Sequence, residues 1–298
     1  MRYPRTGRHA LGTGSAVTSL GNPRTPTTRD QEGLSAVDQL REGIDEHRPE
    51  AAVSPPPYRM PSVSVVIPAM NEAQNLYFIL PLLPPEVTEV ILVDGRSSDD
   101  TVQVARRLRP DVRLVDQDGI GKGNALACGF EAATGDIVVM LDADGSADPS
   151  EITRFVEALQ DGADFAKGTR YGPGAGSQDI TRIRSAGNIV LTRIVNVLFG
   201  TRYTDLCYGY NAFWSRCLPV LDVDCSGFEV ETLINIRASV GGLRIAEVPS
   251  FEHSRITGVS NLNAVRDGLR VLRTIVWERL SSGRTRDRSL LVLSDARE

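Results

Sequence analysis

The sequence is poor in cysteine and histidine, and it has no long apolar run. Its four cysteines form no Cys-x-x-Cys pair, so we expect reduced thiols in a cytoplasmic protein. A membrane-spanning helix needs about 20 apolar residues. The most apolar helical stretch, residues 189–199, is interrupted by Arg193 and Asn196, and the N-terminus lacks the compact apolar segment of a signal peptide. We therefore expect no spanning helix and at most peripheral contact with a membrane.

An excess of positive charge is also missing. The chain has 33 lysines and arginines against 38 aspartates and glutamates, which gives a net charge of −5 at pH 7. Nucleic-acid-binding domains usually carry a strongly basic surface, so no nucleic-acid partner is expected. With 298 residues, of which 41% are hydrophobic, the chain is long enough to bury a sizeable core.

Composition divides the chain into four segments. Residues 1–58 are rich in Arg, Thr, Gly and Pro and predict a disordered extension, whereas residues 59–263 carry the patterns of a folded domain. Residues 264–282 predict an amphipathic helix with interleaved arginines, and residues 283–298 predict a flexible tail. This helix is expected either to lie on a membrane surface or to pack on the domain or on the second subunit of a homodimer, and packing is the interpretation we favour.

Strands and helices alternate through the first half of the domain. Short runs rich in β-branched residues predict strands at 63–67, 87–93, 112–115 and 137–141, and the segments between them predict helices. This alternation predicts a single α/β domain with a mostly parallel central sheet and a Rossmann-like nucleotide-binding half. The second half is less regular.

Two carboxylates stand at the end of the fourth predicted strand. Asp142 and Asp144 follow the apolar run 137–141 directly. Ligands of open α/β sheets gather beyond the carboxyl ends of the strands, and Mg²⁺ or Mn²⁺ prefers hard oxygen ligands together with substrate phosphates. The pair therefore predicts a site for a divalent ion and a phosphate. The alternative is that both residues only form a turn and cap the next helix.

Four motifs, in order, resemble the signatures of family 2 glycosyltransferases with the GT-A fold. The motifs are Ile67-Pro68-Ala69-Met70-Asn71-Glu72, Val93-Asp94-Gly95-Arg96-Ser97, Gly121-Lys122-Gly123-Asn124-Ala125 and Asp142-Ala143-Asp144. The pattern after Asp144 is most similar to polyprenyl-phosphate sugar synthases of the dolichyl-phosphate mannose type. The resemblance covers residues 63–263 and implies an enzyme in which a nucleotide-binding half meets an acceptor-binding half.

The resemblance assigns the donor side of the site to these motifs. It implies a nucleoside-diphosphate sugar, linked to UDP or GDP, and a Mg²⁺ or Mn²⁺ cofactor. The residues expected to contact the nucleotide are Pro68, Ala69, Asn71, Glu72, Asp94, Ser97, Gly121, Lys122 and Ala143. Asp144, helped by Asp142, would hold the ion, which stabilises the charge of the leaving diphosphate. Taken singly, each of these residues also fits a turn, a loop or the start of a helix.

Five residues match positions that bind the acceptor in the resembled enzymes. They are Arg170, Arg184, Asn188, Arg255 and Ser260. Guanidinium groups suit bidentate phosphate binding, although an arginine on a helix is often only a solvated side chain. Asn211 stands where the resembled enzymes carry an arginine, which leaves the identity of the acceptor open.

A general base is needed only for a hydroxyl acceptor, because a phosphate is already anionic. Asp205 or Glu229 is the expected base in that case, while Glu231 is expected to cap or pair within the structure. His253 follows the last predicted strand, where some GT-A enzymes place a third metal ligand. It is therefore a candidate ligand beside Asp142 and Asp144, although a lone histidine is more often a surface residue.

Together these patterns predict a metal-dependent glycosyltransferase that acts with inversion. The acceptor that the resemblance implies is a polyprenyl phosphate. One alternative is the same fold acting on a soluble hydroxyl acceptor, such as a sugar, glycerate or a natural product. Another is a non-catalytic protein that binds sugar nucleotides, and the intact pair of Asp142 and Asp144 argues against it.

Overall fold

The computed structural model describes residues 59–258 and 262–295, with side chains as far as residue 281. The extension predicted over residues 1–58 lies outside the described residues, and so does Ser260.

A seven-stranded sheet forms the centre of the described domain. The described residues form nine strands, which are β1 (Val63–Ala69), β2 (Val87–Asp94), β3 (Arg113–Asp116), β4 (Ile137–Met140), β5 (Phe165–Thr169), β6 (Gly176–Ser177), β7 (Asn211–Trp214), β8 (Ile245–Pro249) and β9 (Phe251–Glu252). The sheet order is β3-β2-β1-β4-β7-β5-β8, and β6 pairs with β9 separately. Only β7 runs antiparallel to its neighbours in the main sheet. The mostly parallel sheet predicted from the alternation is confirmed.

Helices cover both faces of this sheet. They are α1 (Leu76–Ile79), α2 (Thr101–Leu108), α3 (Lys122–Ala132), α4 (Ile152–Gln160), α5 (Arg182–Phe199), α6 (Leu218–Leu221), α7 (Val230–Val240) and α8 (Ala264–Asp295). Single 3₁₀ turns lie at Leu80–Leu82, Pro149–Glu151 and Ser215–Cys217.

The strands are apolar throughout because both of their faces are buried. Successive side chains of a strand point to opposite faces, so Val65 and Val139 pack in one cluster with Phe155 of α4. Their neighbours Val66 and Val138 pack in a second cluster on the other face, which also contains Leu126 and Phe130 of α3. This two-sided burial fixes the register of β1 and β4, and with it the positions of the loops that follow them.

The C-terminal helix packs on the domain and is longer than the sequence predicts. Val271 and Ile275 of α8 share a buried cluster with Val195 of α5 and Ile236 of α7. A buried ion pair between Arg237 and Glu278, 2.8 Å apart, ties α8 to α7. The structure continues the helix to Asp295, beyond the predicted end at residue 282.

Two expectations about the whole chain can be compared with the described residues. No helix among them is both long and apolar enough to cross a membrane. All four cysteines are free thiols.

Candidate active site

A cleft of about 420 Å³ opens at the carboxyl ends of β1, β2 and β4. Ligand sites of open α/β sheets form at this edge because the loops that leave parallel strands converge there. The expected site residues that line the cleft are Pro68, Ala69, Glu72, Gly121, Lys122, Asp142, Ala143, Asp144, Arg170, Arg184 and Arg255. The structure therefore gathers most of the predicted donor-side residues in one place.

Lys122 lies at one wall of the cleft, between two carboxylates. Its Nζ is 2.7 Å from an Asp142 oxygen and 2.7 Å from Oε1 of Glu231. Burial alone would lower the pKa of Lys122, but the two carboxylates outweigh it and raise that pKa, so the ammonium stays charged. Burial also raises the pKa of Glu231. The positive charge of Lys122 lowers that pKa, but by less than burial raises it. We call these three residues the Lys122 network.

Two glycines lie beside the Lys122 network at positions where a larger side chain would not fit. Gly121 precedes α3 with φ +88°, and a Cβ there would lie 2.2 Å from the Ser226 carbonyl oxygen, so only glycine fits this close approach. Gly209 lines the cleft, and a Cβ on it would lie 2.7 Å from Oε1 of Glu231 and 2.9 Å from Nζ of Lys122. A ligand group in the cleft can therefore approach the network where a larger side chain would block it.

Arg255 joins two of the predicted donor-side carboxylates. Its guanidinium donates to Oε1 of Glu72 at 3.0 Å and forms an ion pair with Oδ2 of Asp144 at 2.9 Å. Burial raises the pKa of Glu72, and hydrogen bonds from Asn75 and Arg255 oppose that rise. The Ile256 N–H donates to the Asp144 carbonyl at 3.2 Å, which holds this segment beside the aspartate loop. Arg255, expected on the acceptor side, therefore contacts the donor side of the cleft.

Asp142 and Asp144 fit a divalent ion that completes its shell with other oxygens. Both line the cleft, and their side chains are 35% and 16% exposed. Within residues 59–258 and 262–295, no three His, Cys, Asp or Glu side chains are arranged to hold a metal. A Mg²⁺ or Mn²⁺ site commonly uses one or two carboxylates together with substrate phosphates and water. Asp142 and Asp144 can supply the carboxylates.

His253 does not join the two aspartates, contrary to the expectation of a third ligand. Its side chain is exposed and lies beside the Phe251 ring, with 4.9 Å between the ring centroids. The strand alternation explains this position: Glu252 points inward to Arg170, so the following side chain points away. Its main-chain N–H donates to the Ser146 carbonyl at 2.7 Å, which is a structural contact.

Arg170 and Asp205 form a buried ion pair. The Arg170 guanidinium donates to both Asp205 oxygens, at 2.7 and 3.0 Å, and to Glu252 at 3.1 Å. Burial would raise the pKa of Asp205, but Arg170 and Lys167 hold it below its usual value. Asn188 donates to Asp205 at 2.9 Å. Asp205, a candidate base, is therefore buried in an ion pair, and the groups with which Arg170 and Asn188 would hold an acceptor are already bonded within the protein.

The helix start at Val230 decides which glutamate faces the cleft. Glu231 lines it, whereas Glu229 does not, and one Glu229 oxygen accepts the Gly227 N–H at 3.1 Å. Residues two apart on a helix point to nearly opposite sides, so only one of the two can face the site. The candidate base Glu229 therefore does not line the cleft, whereas Glu231, which was expected to cap or pair within the structure, pairs with Lys122.

Arg184, which is expected on the acceptor side, lies near the start of α5. It follows Thr181, whose hydroxyl caps the start of α5. The Arg184 side chain lines the cleft and pairs with Asp179 at 3.2 Å, with 26% of it exposed.

Three predicted donor-side residues do not line the cleft but form hydrogen bonds within the loops that follow β1 and β2. Asp94 accepts the Ser97 N–H at 3.2 Å, and the Ser97 hydroxyl accepts the Asn71 N–H at 2.9 Å. Asn71 itself has φ +61°, a left-handed conformation that asparagine tolerates better than most residues. These bonds join the loop after β1 to the loop after β2.

Gln117 is one of the cleft residues that the sequence motifs did not predict. Gln117 lines the cleft directly after β3, and its amide donates to the Gly121 carbonyl at 2.7 Å. The signal was present in the sequence, since Gln117 follows a strand that ends at the same sheet edge as β1 and β2.

This sheet, with one antiparallel strand beside β4 and an aspartate pair after it, defines a GT-A glycosyltransferase fold. The chain belongs to glycosyl transferase family 2, whose family model matches residues 64–228. It is therefore an enzyme, a glycosyltransferase, as the sequence motifs predict.

Relatives and solved structures agree with this assignment. The chain is 29% identical to the glycosyltransferase AglJ of Haloferax volcanii, over 70% of this chain and 68% of that protein. It is 31% identical to the polyprenol monophosphomannose synthase of Mycolicibacterium smegmatis, over 67% of this chain and 80% of that protein. Its fold resembles glucosyl-3-phosphoglycerate synthase from Mycobacterium tuberculosis in complex with Mn²⁺, UDP and phosphoglyceric acid, with a TM-score of 0.59, 24% identity and 74% and 78% of the two chains covered.

Proposed function

We propose that the enzyme transfers a sugar from a UDP- or GDP-linked donor to a polyprenyl phosphate, with Mg²⁺ or Mn²⁺ and with inversion at the anomeric carbon. The observation that carries the proposal is the gathering of Asp142, Asp144, Lys122 and Arg255 in one cleft at the carboxyl ends of the strands. The relative named polyprenol monophosphomannose synthase supports this class of acceptor.

The donor side supplies charges of both signs where a nucleoside diphosphate needs them. Asp144 and Asp142 would hold the divalent ion, which neutralises charge on the leaving diphosphate. The Lys122 ammonium, fixed by Asp142 and Glu231, adds a permanent positive charge at the same wall. Pro68 and Ala69 line the cleft after β1 and bound the space for the nucleoside.

The carboxylates around the cleft favour an acceptor that is already anionic. A hydroxyl acceptor must lose a proton, but Asp205 is paired with Arg170, Glu229 does not line the cleft, and Glu231 is bonded to Lys122. A phosphate acceptor needs no base. Its oxygen would attack the anomeric carbon as the bond from that carbon to the nucleoside diphosphate breaks, and attack from the opposite side inverts the configuration. Arg184 is the cleft cation that we assign to the acceptor phosphate.

The test supplies two acceptors to the purified full chain. UDP- and GDP-linked sugars are incubated with Mn²⁺ and either a short-chain polyprenyl monophosphate or 3-phosphoglycerate, and products are identified by mass spectrometry. We expect a glycosyl phosphate on the polyprenyl chain, released nucleoside diphosphate and no product with Asp144→Asn. Arg184→Gln should raise KM for the polyprenyl phosphate and leave KM for the donor nearly unchanged. Transfer to the hydroxyl acceptor alone would contradict the proposal.

A further inference from the structure

The chain contains only two lysines, and neither is a surface residue. Of its 33 lysines and arginines, Lys122 and Lys167 are the two lysines, and every other basic residue is an arginine. The Lys122 side chain is 11% exposed and belongs to the donor side of the cleft, whereas Lys167 is 0% exposed. An ammonium is a more compact charge than a guanidinium, so lysine suits an enclosed position better than arginine does. No step of the proposed transfer yet uses Lys167.

Lys167 lies on β5 between polar partners on the two adjacent strands. Asn211 of β7 is its direct partner in the antiparallel ladder, and Glu247 of β8 is its partner on the other side. Direct partners of an antiparallel pair project from the same face of the sheet, with their Cβ atoms about 5 Å apart. Asn211 is also 0% exposed. A lysine at either position would therefore place its ammonium in the same enclosed space.

Arg170, three residues after Lys167, is held between two carboxylates at the wall of the cleft. Its Nε and Nη2 donate to Asp205 at 2.7 and 3.0 Å, and its Nη1 donates to Glu252 at 3.1 Å. The side chains of Arg170, Asp205 and Glu252 are 5%, 0% and 10% exposed. Arg170 and Glu252 line the cleft. One cation and two carboxylates would leave this wall with a net charge of −1.

Lys167 supplies the second positive charge. Burial would raise the pKa of Asp205, but Arg170 and Lys167 together hold it below its ordinary value. With the Lys167 ammonium, the group of Lys167, Arg170, Asp205 and Glu252 has two charges of each sign, and we call it the Lys167 cluster. Glu247 also faces Lys167, but its carboxylate accepts two hydrogen bonds from Thr204 in an exposed part of the structure, where water screens its charge.

We propose that Lys167 is a positioning residue for an anionic acceptor. Acting through Asp205, its charge lets both carboxylates of the Lys167 cluster stay ionised around Arg170, and it prevents a net negative charge at the cleft wall. A phosphate that enters the cleft would otherwise be repelled, and a buried charge is poorly screened by solvent. The choice of a phosphate as the acceptor rests on the proposed function, whereas the neutralisation of the cluster does not.

Loss of the Lys167 proton should act like loss of its charge by mutation. The charged and titratable groups that face Lys167 are Asp205 and Cys207 from the segment between α5 and β7, Glu247 from β8 and Arg170 from the end of β5. The pKa of Asp205 is lowered and that of Arg170 is raised, so both stay charged, and the Cys207 thiol, with its pKa raised to about 12 by burial, stays neutral. Burial lowers the pKa of Lys167 below 10.5, so its ammonium is lost as the pH rises through that lowered pKa.

An exchange of side chains across the β5–β7 ladder tests the role of Lys167. Lys167→Asn removes the cation, and Lys167→Asn/Asn211→Lys returns it from the opposite strand with the same two side chains. Lys167→Met, which keeps the side-chain volume, carries the test if the exchanged variant does not fold. Calorimetry on the full chain with Mn²⁺ and nucleoside diphosphate measures binding of a short-chain polyprenyl monophosphate, of 3-phosphoglycerate and of the uncharged polyprenol.

We expect both single variants to bind the polyprenyl monophosphate about ten-fold more weakly, with polyprenol binding nearly unchanged. The exchanged variant should return to within about three-fold of the wild type. In the transfer assay the single variants should raise KM for the acceptor about ten-fold and leave kcat and KM for the donor within about two-fold. Between pH 7 and 10.5, the ratio of the Lys167→Met Kd to the wild-type Kd should fall towards one as Lys167 loses its proton. This ratio cancels the titration of the acceptor itself.

Four results would overturn the proposal. They are equal phosphate affinity in the wild type and the single variants, an equal loss of affinity for polyprenol, a folded exchanged variant no better than Lys167→Asn, and a wild type that binds neither phosphate. Failure of the proposed function is seen separately. A wild type that binds the polyprenyl monophosphate without transferring sugar, or that binds only 3-phosphoglycerate, would contradict that function, and the same comparison of variants on the bound phosphate would still decide the role of Lys167.

Discussion

Arg255 forms an ion pair with Asp144, with 2.9 Å between Nη2 and Oδ2, so an arginine already neutralises the carboxylate that is proposed to hold the metal. The same guanidinium contacts Glu72 at 3.0 Å. A divalent ion and Arg255 would therefore compete for Asp144. A bound diphosphate would offer Arg255 a new anionic partner when the ion displaces it.

Replacing Arg255 should strengthen metal binding and weaken nucleotide binding. In Arg255→Gln the positive charge beside Asp144 is gone, so we expect Mn²⁺ affinity without nucleotide to rise roughly three- to ten-fold. Affinity for the nucleoside diphosphate in the presence of Mn²⁺ should fall, because a phosphate partner is lost. Electron paramagnetic resonance of free Mn²⁺ and calorimetry with nucleotide measure the two effects.

The control for this experiment is Arg184→Gln, a cleft arginine that pairs with Asp179 instead of Asp144. Its Mn²⁺ affinity should match that of the wild type. Weaker or unchanged Mn²⁺ binding in Arg255→Gln would show that Arg255 and the ion do not compete.

The Lys122 network should be a large contributor to stability. Lys122→Met leaves the buried Glu231 without its cation, and we expect the free energy of unfolding to fall by about 3 kcal/mol. Adding Glu231→Gln removes the unpaired charge, so the double variant should regain part of that loss. Urea unfolding measures both values.

A surface ion pair provides the comparison. Arg109→Met breaks the pair with Asp111, whose side chain is 64% exposed, and should cost less than about 1 kcal/mol. If Lys122→Met lowers the free energy of unfolding by no more than this, the ion pairs of Lys122 are not a large source of stability. A double variant that is less stable than Lys122→Met would lead to the same conclusion.

Because of Lys167, the stability of the folded protein should change with pH in the alkaline range. It is fully buried, and its ammonium donates to the Gly168 carbonyl at 2.8 Å. Burial lowers its pKa below the ordinary 10.5, although Asp205 and Glu247 oppose the shift. Between the lowered pKa and 10.5 the unfolded chain holds a proton that the folded chain has released, so stability from this group rises with pH across that window.

Lys167→Met should remove this dependence. Relative to the wild type, the variant should be favoured most at low pH, by about 1.4 kcal/mol for each unit by which the pKa is lowered, and should lose that advantage as the pH approaches 10.5. Urea unfolding at several pH values between 7 and 10.5 measures the difference. A difference that stays constant or grows with pH would show that the Lys167 pKa is not lowered.

Local patterns predicted the sheet because β1, β2 and β4 are apolar runs buried on both faces, and they predicted Asp142 and Asp144 because ligands gather at strand ends. Local patterns could not predict contacts between segments that are distant in the sequence. Arg255 meets Glu72 across 183 residues of sequence, and no local pattern shows that its partners are on the donor side.

The choice between neighbouring residues was equally beyond local patterns. Glu229 and Glu231 are chemically equivalent, and only the start of α7 at Val230 decides which one reaches Lys122. Likewise, Asp205 resembles a base in sequence, but Arg170 from the end of β5 buries and neutralises it. These corrections come from tertiary packing rather than from misjudged residue chemistry.

The most direct test of the donor site is a thermal-shift comparison of the wild type and Asp144→Asn with UDP, GDP and their sugars, each with Mn²⁺ or with EDTA. Ligand at about 100 times its Kd adds roughly 2.7 kcal/mol to the stability of the native state. We predict a rise in Tm of several degrees for one nucleotide family, only with Mn²⁺ and only in the wild type. A rise of equal size in EDTA, or in Asp144→Asn, would contradict the metal-assisted nucleotide site, and so would no rise with any nucleotide.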